Sequence, residues 1–516
     1  MTIALVRLAT SALLAVACVL AGWVVEAHYG LNIWDEGFLW YGVQRVQLGE
    51  IPIRDFMAYD PARYYWTAAV MALWGGKGIL DVRAAVAVFQ WLGLAAGIWV
   101  VASGTRQRGA AFLVCAAIVL ALWMFPRHKL FDIALSVLFV AVFAWWLRRP
   151  SLRRHFACGL FIGIAACFGR NHGVYALVAS ALGFAWLGME GRRLPRWEAV
   201  LSWMGGIAAG FVPIIVACMV VPGFAAAFWQ SILFLLELGA TNLTLPVPWP
   251  WTVPYSDLPT GVALRGGLIG LGFIGVLVYP AMAALRLVRR SLHHLPADPA
   301  LAATFCLAVP YAHYAYSRAD LGHLAQGIFP ALVGTLLWLA AARPGIRWTG
   351  VAAILAATAW ITLPSHPRMD CVGSDHPCVA TDVSGQRLYL PPPVAGDISL
   401  LRDLDATYAP GNRAFVATPY WPGAYAVLGK RSPLWEIYAT TARSERFQQA
   451  EIARMQQAHP GFVIVFDFPL DNREELRYSH THPAMDAYIK DHFVALPSPN
   501  ANYRIYRAPD HPPEGK

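Results

Sequence analysis

Two acidic residues in tandem, Asp35 and Glu36, precede Gly37 and a segment whose pattern predicts a helix through Gln47. A carboxylate in the first turn of a helix meets the positive end of the dipole and stays ionised. Such a group can act as a general base or as an oxygen ligand to a metal. The plain alternative is a capping acid with no chemistry. The same stretch carries further polar candidates in Asp60, Arg63 and Tyr64. Three other places gather cations: Arg127-His128-Lys129, Arg170-Asn171-His172, and the run from Arg318 to His323. Each lies between two apolar runs. Arginine presents planar, forked donors that match phosphate oxygens. Snorkelling at a helix end explains any one of these caps taken singly. Three of them in a chain with an acidic first loop point to a cationic pocket for a phosphate, built from Arg127, Lys129, Arg170, His172, Arg318 and His323.

The elements that must position these residues are membrane spans. The chain has 516 residues, 57% of them hydrophobic and 14% charged, with a mean hydropathy of +0.47. A soluble domain carries about 25% charge. A span takes roughly 20 apolar residues. Candidate spans fall near 5–25, 84–104, 110–124, 131–147, 156–169, 173–189, 199–221, 262–285, 300–316, 323–341 and 348–363, eleven in all. The first reads as a retained span rather than a cleaved signal, since Arg7 is its only leading base and no small-residue cleavage site precedes Glu26. Arg7, Arg106, Arg108, Arg148, Arg149, Arg153, Arg154, Arg192, Arg193, Arg196, Arg286, Arg289, Arg290, Arg343 and Arg347 all fall on one side if the N-terminus is cytoplasmic. That is the positive-inside pattern, and it turns the basic excess (40 Lys+Arg against 31 Asp+Glu) into a topology signal rather than a nucleic-acid surface.

This topology makes residues 1–363 a transmembrane catalytic domain, with 26–83 as its long first exterior loop. Residues 364–516 become a separate exterior domain. Tyr64–Gly76 is apolar but too short to span, so it reads as interfacial or re-entrant. Phe224–Leu238 reads as a helix, and Pro246–Pro254 must run extended because proline blocks a helix. In the tail, Arg413–Thr418 and Gly461–Asp467 read as buried strands and Arg443–His459 as an amphipathic helix, a small α/β domain without a phosphate loop. Cys371 and Cys378 are spaced for a small-loop disulfide, with two free thiols as the alternative. Tyr420, Trp421 and Trp435 are either sugar-stacking aromatics or core.

The run Asp35-Glu36-Gly37, Gly49-Glu50-Ile51-Pro52-Ile53-Arg54-Asp55-Phe56, Asp60-Pro61, Tyr64-Tyr65 and Leu73-Trp74-Gly75 resembles the opening of GT-C glycosyltransferases. Its relatives there are the protein O-mannosyltransferase and lipid A aminoarabinose transferase group. The resemblance extends to the topology, the Arg170–Gly173 turn and the kind of tail. It implies a polytopic α-helical enzyme that takes a sugar from a polyprenyl-phosphate donor, with inversion at the anomeric carbon. Asp35, with Glu36 beside it, would activate the acceptor. The cationic caps would meet the charge on the leaving phosphate, and Asp60, Arg63 and Tyr64 would belong to the acceptor loop. The acceptor class spans cell-envelope glycolipids, glycans and proteins. The site would lie in the inner (plasma) membrane, with the tail periplasmic. The metal question stays open: Asp35, Glu36 and Asp60 could hold a divalent cation, but the fifteen His show no zinc spacing, so no metal is assigned.

Two other classes fit a chain with about eleven spans. A transporter or lipid flippase tends to show internal repeats and charges at mid-membrane. No repeat is visible, and of the ionisable residues Asp132 and Glu237 fall within apolar runs. An inactive GT-C-like scaffold is the third reading, weakened by the retention of Asp35, Glu36 and the three caps.

Overall fold

The computed structural model describes residues 2–104, 109–191, 196–240, 242–372 and 377–510. Arg106, Arg108, Arg192 and Arg193 of the charge pattern lie outside the described residues. The chain forms two compact units. One comprises Met1–Ala27 with Ala84–Met369, the other His28–Arg83 with Asp370–Lys516.

The first unit is helical. A helix stands at each of the eleven expected places, but among the described residues seven are long and apolar enough to cross a membrane, or eight if one bent pair is a single span. The shortfall has local causes. Ala110–Leu122 has only 13 residues, about 20 Å of helix against a hydrocarbon layer of roughly 30 Å. Leu152–Phe168 has 17 residues and opens on Arg153, Arg154 and His155. Pro299–Ser317 carries Tyr311, His313, Tyr314 and Tyr316, and most of it is buried against other helices. The bent pair is Leu321–Gly327 with Phe329–Ala341, turned by 59°.

Backbone approach holds part of this unit together. Apolar side chains gain little by leaving lipid for protein, so helices in a membrane associate through close packing of small residues. Gly159 and Gly163 on Leu152–Phe168 face Gly206 and Gly210 on Arg196–Val220. A Cβ at any of the four would come within 2.0–2.3 Å of a carbonyl oxygen on the other helix. The predicted helix Phe224–Leu238 is present, and the expected extended run Pro246–Pro254 is broken by a 3-10 turn at Pro250–Thr252.

The second unit is α/β. Its strands are β1 (Val379–Val383), β2 (Gln386–Leu390), β3 (Val416–Thr418), β4 (Phe462–Phe466), β5 (Val494–Leu496) and β6 (Tyr503–Arg507). β1 and β2 form a hairpin, and the other four form a sheet in the order β3-β4-β6-β5. β3 and β4 pair in parallel, with Val416 opposite Val463, while β6 is antiparallel to both β4 and β5. A parallel pair needs a crossover connection, which here includes the helices Pro422–Leu428 and Glu445–Ala458. Every residue of β3 and β4 is buried. Cys371 and Cys378 are joined in a disulfide.

The sequence reading assigns the first loop to the membrane region, whereas in the structure it folds with the tail. The reason lies in its own apolar content. Phe38, Leu39, Trp40, Tyr41 and Val43 on the helix Asp35–Gln47 are buried, and Tyr41 packs on Tyr425 with 5.5 Å between ring centroids. Tyr29 bridges to Tyr389, and Met57 N–H donates to the Trp435 carbonyl at 2.8 Å. Gly37 meets Gly423 so closely that a Cβ on Gly37 would lie 2.5 Å from the Gly423 Cα.

Candidate functional site

In the second unit, the two tandem acids part company. Glu36 is buried and fully engaged: Arg83 donates through Nε to Oε1 at 2.7 Å and through Nη2 to Oε2 at 2.8 Å. The same Nη2 donates to the Gly30 carbonyl at 2.8 Å. This forked pair ties the start of the helix Asp35–Gln47 to the residue that closes the loop. Asp35 is half-buried. Its Oδ1 accepts from the Tyr438 hydroxyl at 3.1 Å and its Oδ2 from the Asn32 amide at 3.4 Å. The Asn32 side-chain oxygen accepts from the Trp34 and Asp35 N–H groups at 2.9 and 3.0 Å, which closes the turn before the helix. Trp34 stacks on Tyr420 at 4.8 Å, and Phe38 sets its edge against Tyr59 at 4.9 Å.

The other loop candidates, Asp60, Arg63 and Tyr64, are buried. Tyr64 is fully buried, and its hydroxyl accepts from the Tyr59 N–H at 3.0 Å. Arg63 lies over the Tyr59 ring at 4.8 Å, and Asp60 is buried beside it in sequence. Tyr420 and Trp421 belong to the core, and Trp435 donates its indole N–H to the Ile53 carbonyl at 3.0 Å. Asp35, Glu36 and Asp60 do not converge as a donor set, because Glu36 faces Arg83. Among the described residues no group of three or more His, Cys, Asp or Glu side chains is placed to hold a metal ion.

In the first unit, the three cationic caps meet through their buried neighbours. His172 is wholly buried in the first turn of Arg170–Met189. Its Nε2 lies 2.9 Å from Asp132 Oδ1, and its Nδ1 lies 2.7 Å from the Tyr311 hydroxyl. One proton arrangement satisfies all three groups: Nε2–H donates to the carboxylate, and the phenol donates to Nδ1. Asp132 sits in the first turn of Leu130–Arg148, next to Arg127–Lys129. Tyr314 stands edge-on to His172 at 5.7 Å and to His323 at 6.2 Å, which joins the second cap to the third. An ionisable group among apolar helices is costly unless paired, so this chain of contacts both satisfies Asp132 and locks four helix ends together.

The cations around this cluster are half-buried and held. Arg170 Nη1 donates to Ser231 Oγ at 2.8 Å, with its guanidinium 5.0 Å from the Phe228 ring. Arg318 donates to Asp320 Oδ2 at 2.8 Å and to the Leu243 carbonyl at 3.1 Å. His323 pairs with Asp320 through both Nδ1 and its backbone N–H, at 2.9 and 2.8 Å. Burial opposes ionisation of Asp320, but His323 and Arg318 outweigh it and hold its carboxyl down at about 2. Arg318 therefore carries a counter-charge in Asp320. Arg127 donates to the Glu26 carbonyl, and Lys129 closes the 3-10 turn that leads into Leu130. His172, expected to face a phosphate, is instead a buried link. Asp132, Tyr311 and Tyr438 complete these clusters. Asp132 stands out in the sequence as an acid in an apolar run, whereas Tyr438 has no local signal.

No family model matches the sequence, and no curated protein matches it. Solved structures match by fold. ArnT from Cupriavidus metallidurans in the apo state superposes with a TM-score of 0.54 at 12% identity, covering 96% of this chain and 97% of that one. The same protein bound to undecaprenyl phosphate gives 0.50 at 14% identity, again covering 96% and 97%. The archaeal oligosaccharyltransferase AglB from Archaeoglobus fulgidus, in complex with an inhibitory peptide and a dolichol-phosphate, gives 0.51 at 12% identity over 98% of this chain and 74% of that one. The chain has the GT-C fold.

Proposed function

We propose that this chain is an integral-membrane glycosyltransferase that moves a sugar from a polyprenyl-phosphate donor to a cell-envelope acceptor. The observation that supports this most is the fold likeness to ArnT, which runs the length of both chains, one of them bound to undecaprenyl phosphate. In this reading Asp35 is the base. Its carboxylate takes the proton of an acceptor hydroxyl while the acceptor oxygen bonds to the anomeric carbon. The bond from that carbon to the phosphate oxygen breaks, and its electron pair leaves with the polyprenyl phosphate. A single displacement inverts the anomeric centre. Charge stabilisation at the leaving group is commonly the largest catalytic term, and a base typically adds about 10²–10⁴-fold. Arg170, Lys129 and Arg127 supply that charge stabilisation, with Arg318 held by Asp320 as a weaker contributor. Glu36 has no proton-transfer role, because Arg83 occupies both its oxygens.

We place the protein in the inner (plasma) membrane with a cytoplasmic N-terminus. Arg148, Arg149, Arg153, Arg154, Arg286, Arg289, Arg290, Arg343 and Arg347 fall at alternating helix ends, as the positive-inside rule requires if all eleven helices cross. The tail and the first loop are then periplasmic. A transporter reading draws on the bent pair at Ile328, since interrupted helices often mark transport sites. Native mass spectrometry of the purified full chain with undecaprenyl phosphate separates the two. The transferase reading expects retained lipid that is lost in Arg170→Ala and kept in Asp35→Asn. Absence of specific binding in the wild type would count against it.

A further inference from the structure

We propose that Tyr438, carried by the tail, is a positioning residue that orients the Asp35 carboxylate of the first loop; the inference rests on the reading of Asp35 as the base. The Tyr438 hydroxyl donates to Asp35 Oδ1 at 3.1 Å. Its ring is wedged between Phe38, 5.6 Å away on the same helix as Asp35, and Tyr420, edge-on at 6.5 Å. A phenol set between two rings has little rotational freedom, so the hydroxyl is delivered to one place.

The backbone that carries Tyr438 is anchored far more heavily than an ordinary connecting loop. Two residues before it, buried Glu436 accepts from Arg443 Nε at 2.5 Å and lies 2.9 Å from His482 Nε2. The Glu436 N–H donates to Glu451 Oε2 at 3.1 Å. One residue after Tyr438, the Ala439 N–H donates to the Pro419 carbonyl at 3.1 Å. Upstream, Trp435 is tied in both directions, through its indole to Ile53 and through its carbonyl to Met57. Buried ionic groups are costly to assemble and specify one geometry when fully satisfied. Here that geometry fixes the loop whose side chain reaches Asp35.

The consequences for Asp35 follow from hydrogen-bond chemistry. Burial, with the Asp35 charge beside it, pushes the Tyr438 phenol well above its ordinary range, so it remains a donor across the working pH. A donor on the charged form of a carboxylate favours that form. The bond also makes the two oxygens unequal. Oδ1 accepts from Tyr438 at 3.1 Å, and Oδ2 accepts from the Asn32 amide at 3.4 Å.

The test reads Asp35 directly. The detergent-purified full chain is treated with a water-soluble carbodiimide and glycine ethyl ester between pH 4 and 8, and labelling at Asp35 is followed by peptide mass spectrometry. In Tyr438→Phe, which keeps the ring and removes the hydroxyl, the midpoint for Asp35 labelling moves up by on the order of one pH unit. Asp382 and Asp510, on the surface, keep their midpoints. An unmoved Asp35 midpoint in a folded Tyr438→Phe protein would overturn the proposal. If that variant does not fold, 3-fluorotyrosine at position 438 keeps the shape with a more acidic hydroxyl, and the midpoint then moves down; no movement overturns the proposal equally. In steady-state transfer, the acid limb of the Tyr438→Phe pH profile moves up while the donor KM holds. The two readings fail separately. Transfer that survives Asp35→Asn removes the base reading, whereas transfer abolished by Asp35→Asn with an unmoved midpoint in Tyr438→Phe removes only the role of Tyr438.

Discussion

The Glu36–Arg83 pair makes a prediction that separates a structural acid from a catalytic one. Both side chains are almost wholly covered, at 6% and 5% exposure, and the hydrogen bonds of Arg83 include two short ones to Glu36 and one to the Gly30 carbonyl. Glu36→Gln leaves the guanidinium buried against a neutral amide. Removing one partner of a buried pair costs about 3–5 kcal/mol, because the remaining charge is left uncompensated. At roughly 2–4 °C per kcal/mol for a unit of this size, melting of the second unit falls by about 6–20 °C. The full chain is melted in detergent by intrinsic tryptophan fluorescence. Hydrogen exchange across 28–83 then localises the loss to the first loop. Replacing both partners with apolar residues, Glu36→Leu with Arg83→Met, recovers at least half of the lost stability, since neither charge then remains to be solvated. The reasoning is refuted if Glu36→Gln melts within a degree of wild type yet loses transfer. Glu36 would then be the catalytic carboxylate.

Two further perturbations follow from the same logic. His172→Phe takes from the Asp132 carboxylate a buried hydrogen bond and lowers thermal stability in detergent by about 1–3 kcal/mol, with undecaprenyl phosphate binding weakened alongside; an unchanged melt would show that this hydrogen bond contributes nothing to stability. In the tail, burial raises the Asp397 carboxyl to about 6, against the hydroxyl that Tyr503 donates to it at 3.2 Å. The folded protein then holds this proton to higher pH than the unfolded chain, so the cost of ionising Asp397 grows from about pH 4 to 6 and persists above. Asp397→Asn therefore gains on wild type as pH rises through that window, by about 1 kcal/mol after discounting for a partly exposed site. A stability difference independent of pH would contradict it.

Local pattern carried much of the architecture. Phe224–Leu238 is legible as a helix from its apolar run between two glycines, and Phe462–Phe466 as a buried strand from its unbroken β-branched and aromatic residues. The acids at 35 and 36 sit in the first turn of a helix, as their spacing indicates. Local pattern could not divide the work between them. Glu36 meets a partner 47 residues on, and Asp35 meets one 403 residues on. Periodicity in a window of a dozen residues holds no information about such pairings. The same limit hides the fate of His172. Its sequence neighbours advertise a cationic cap, while Asp132 and Tyr311, on two other helices, make it a buried link. The membership of the first loop was equally invisible, because an aromatic-rich surface segment reads the same whether it covers lipid or a folded tail.

The account turns on whether this chain consumes a polyprenyl-phosphate sugar through Asp35. The most direct measurement incubates purified protein with a panel of undecaprenyl-phosphate-linked sugars and membrane extract as the acceptor source, and follows release of undecaprenyl phosphate by mass spectrometry. Wild type should release it from at least one donor, with Asp35→Asn slower by about 10²-fold or more. Equal rates in wild type and Asp35→Asn, or donors that cross a proteoliposome bilayer intact without being consumed, would contradict the account.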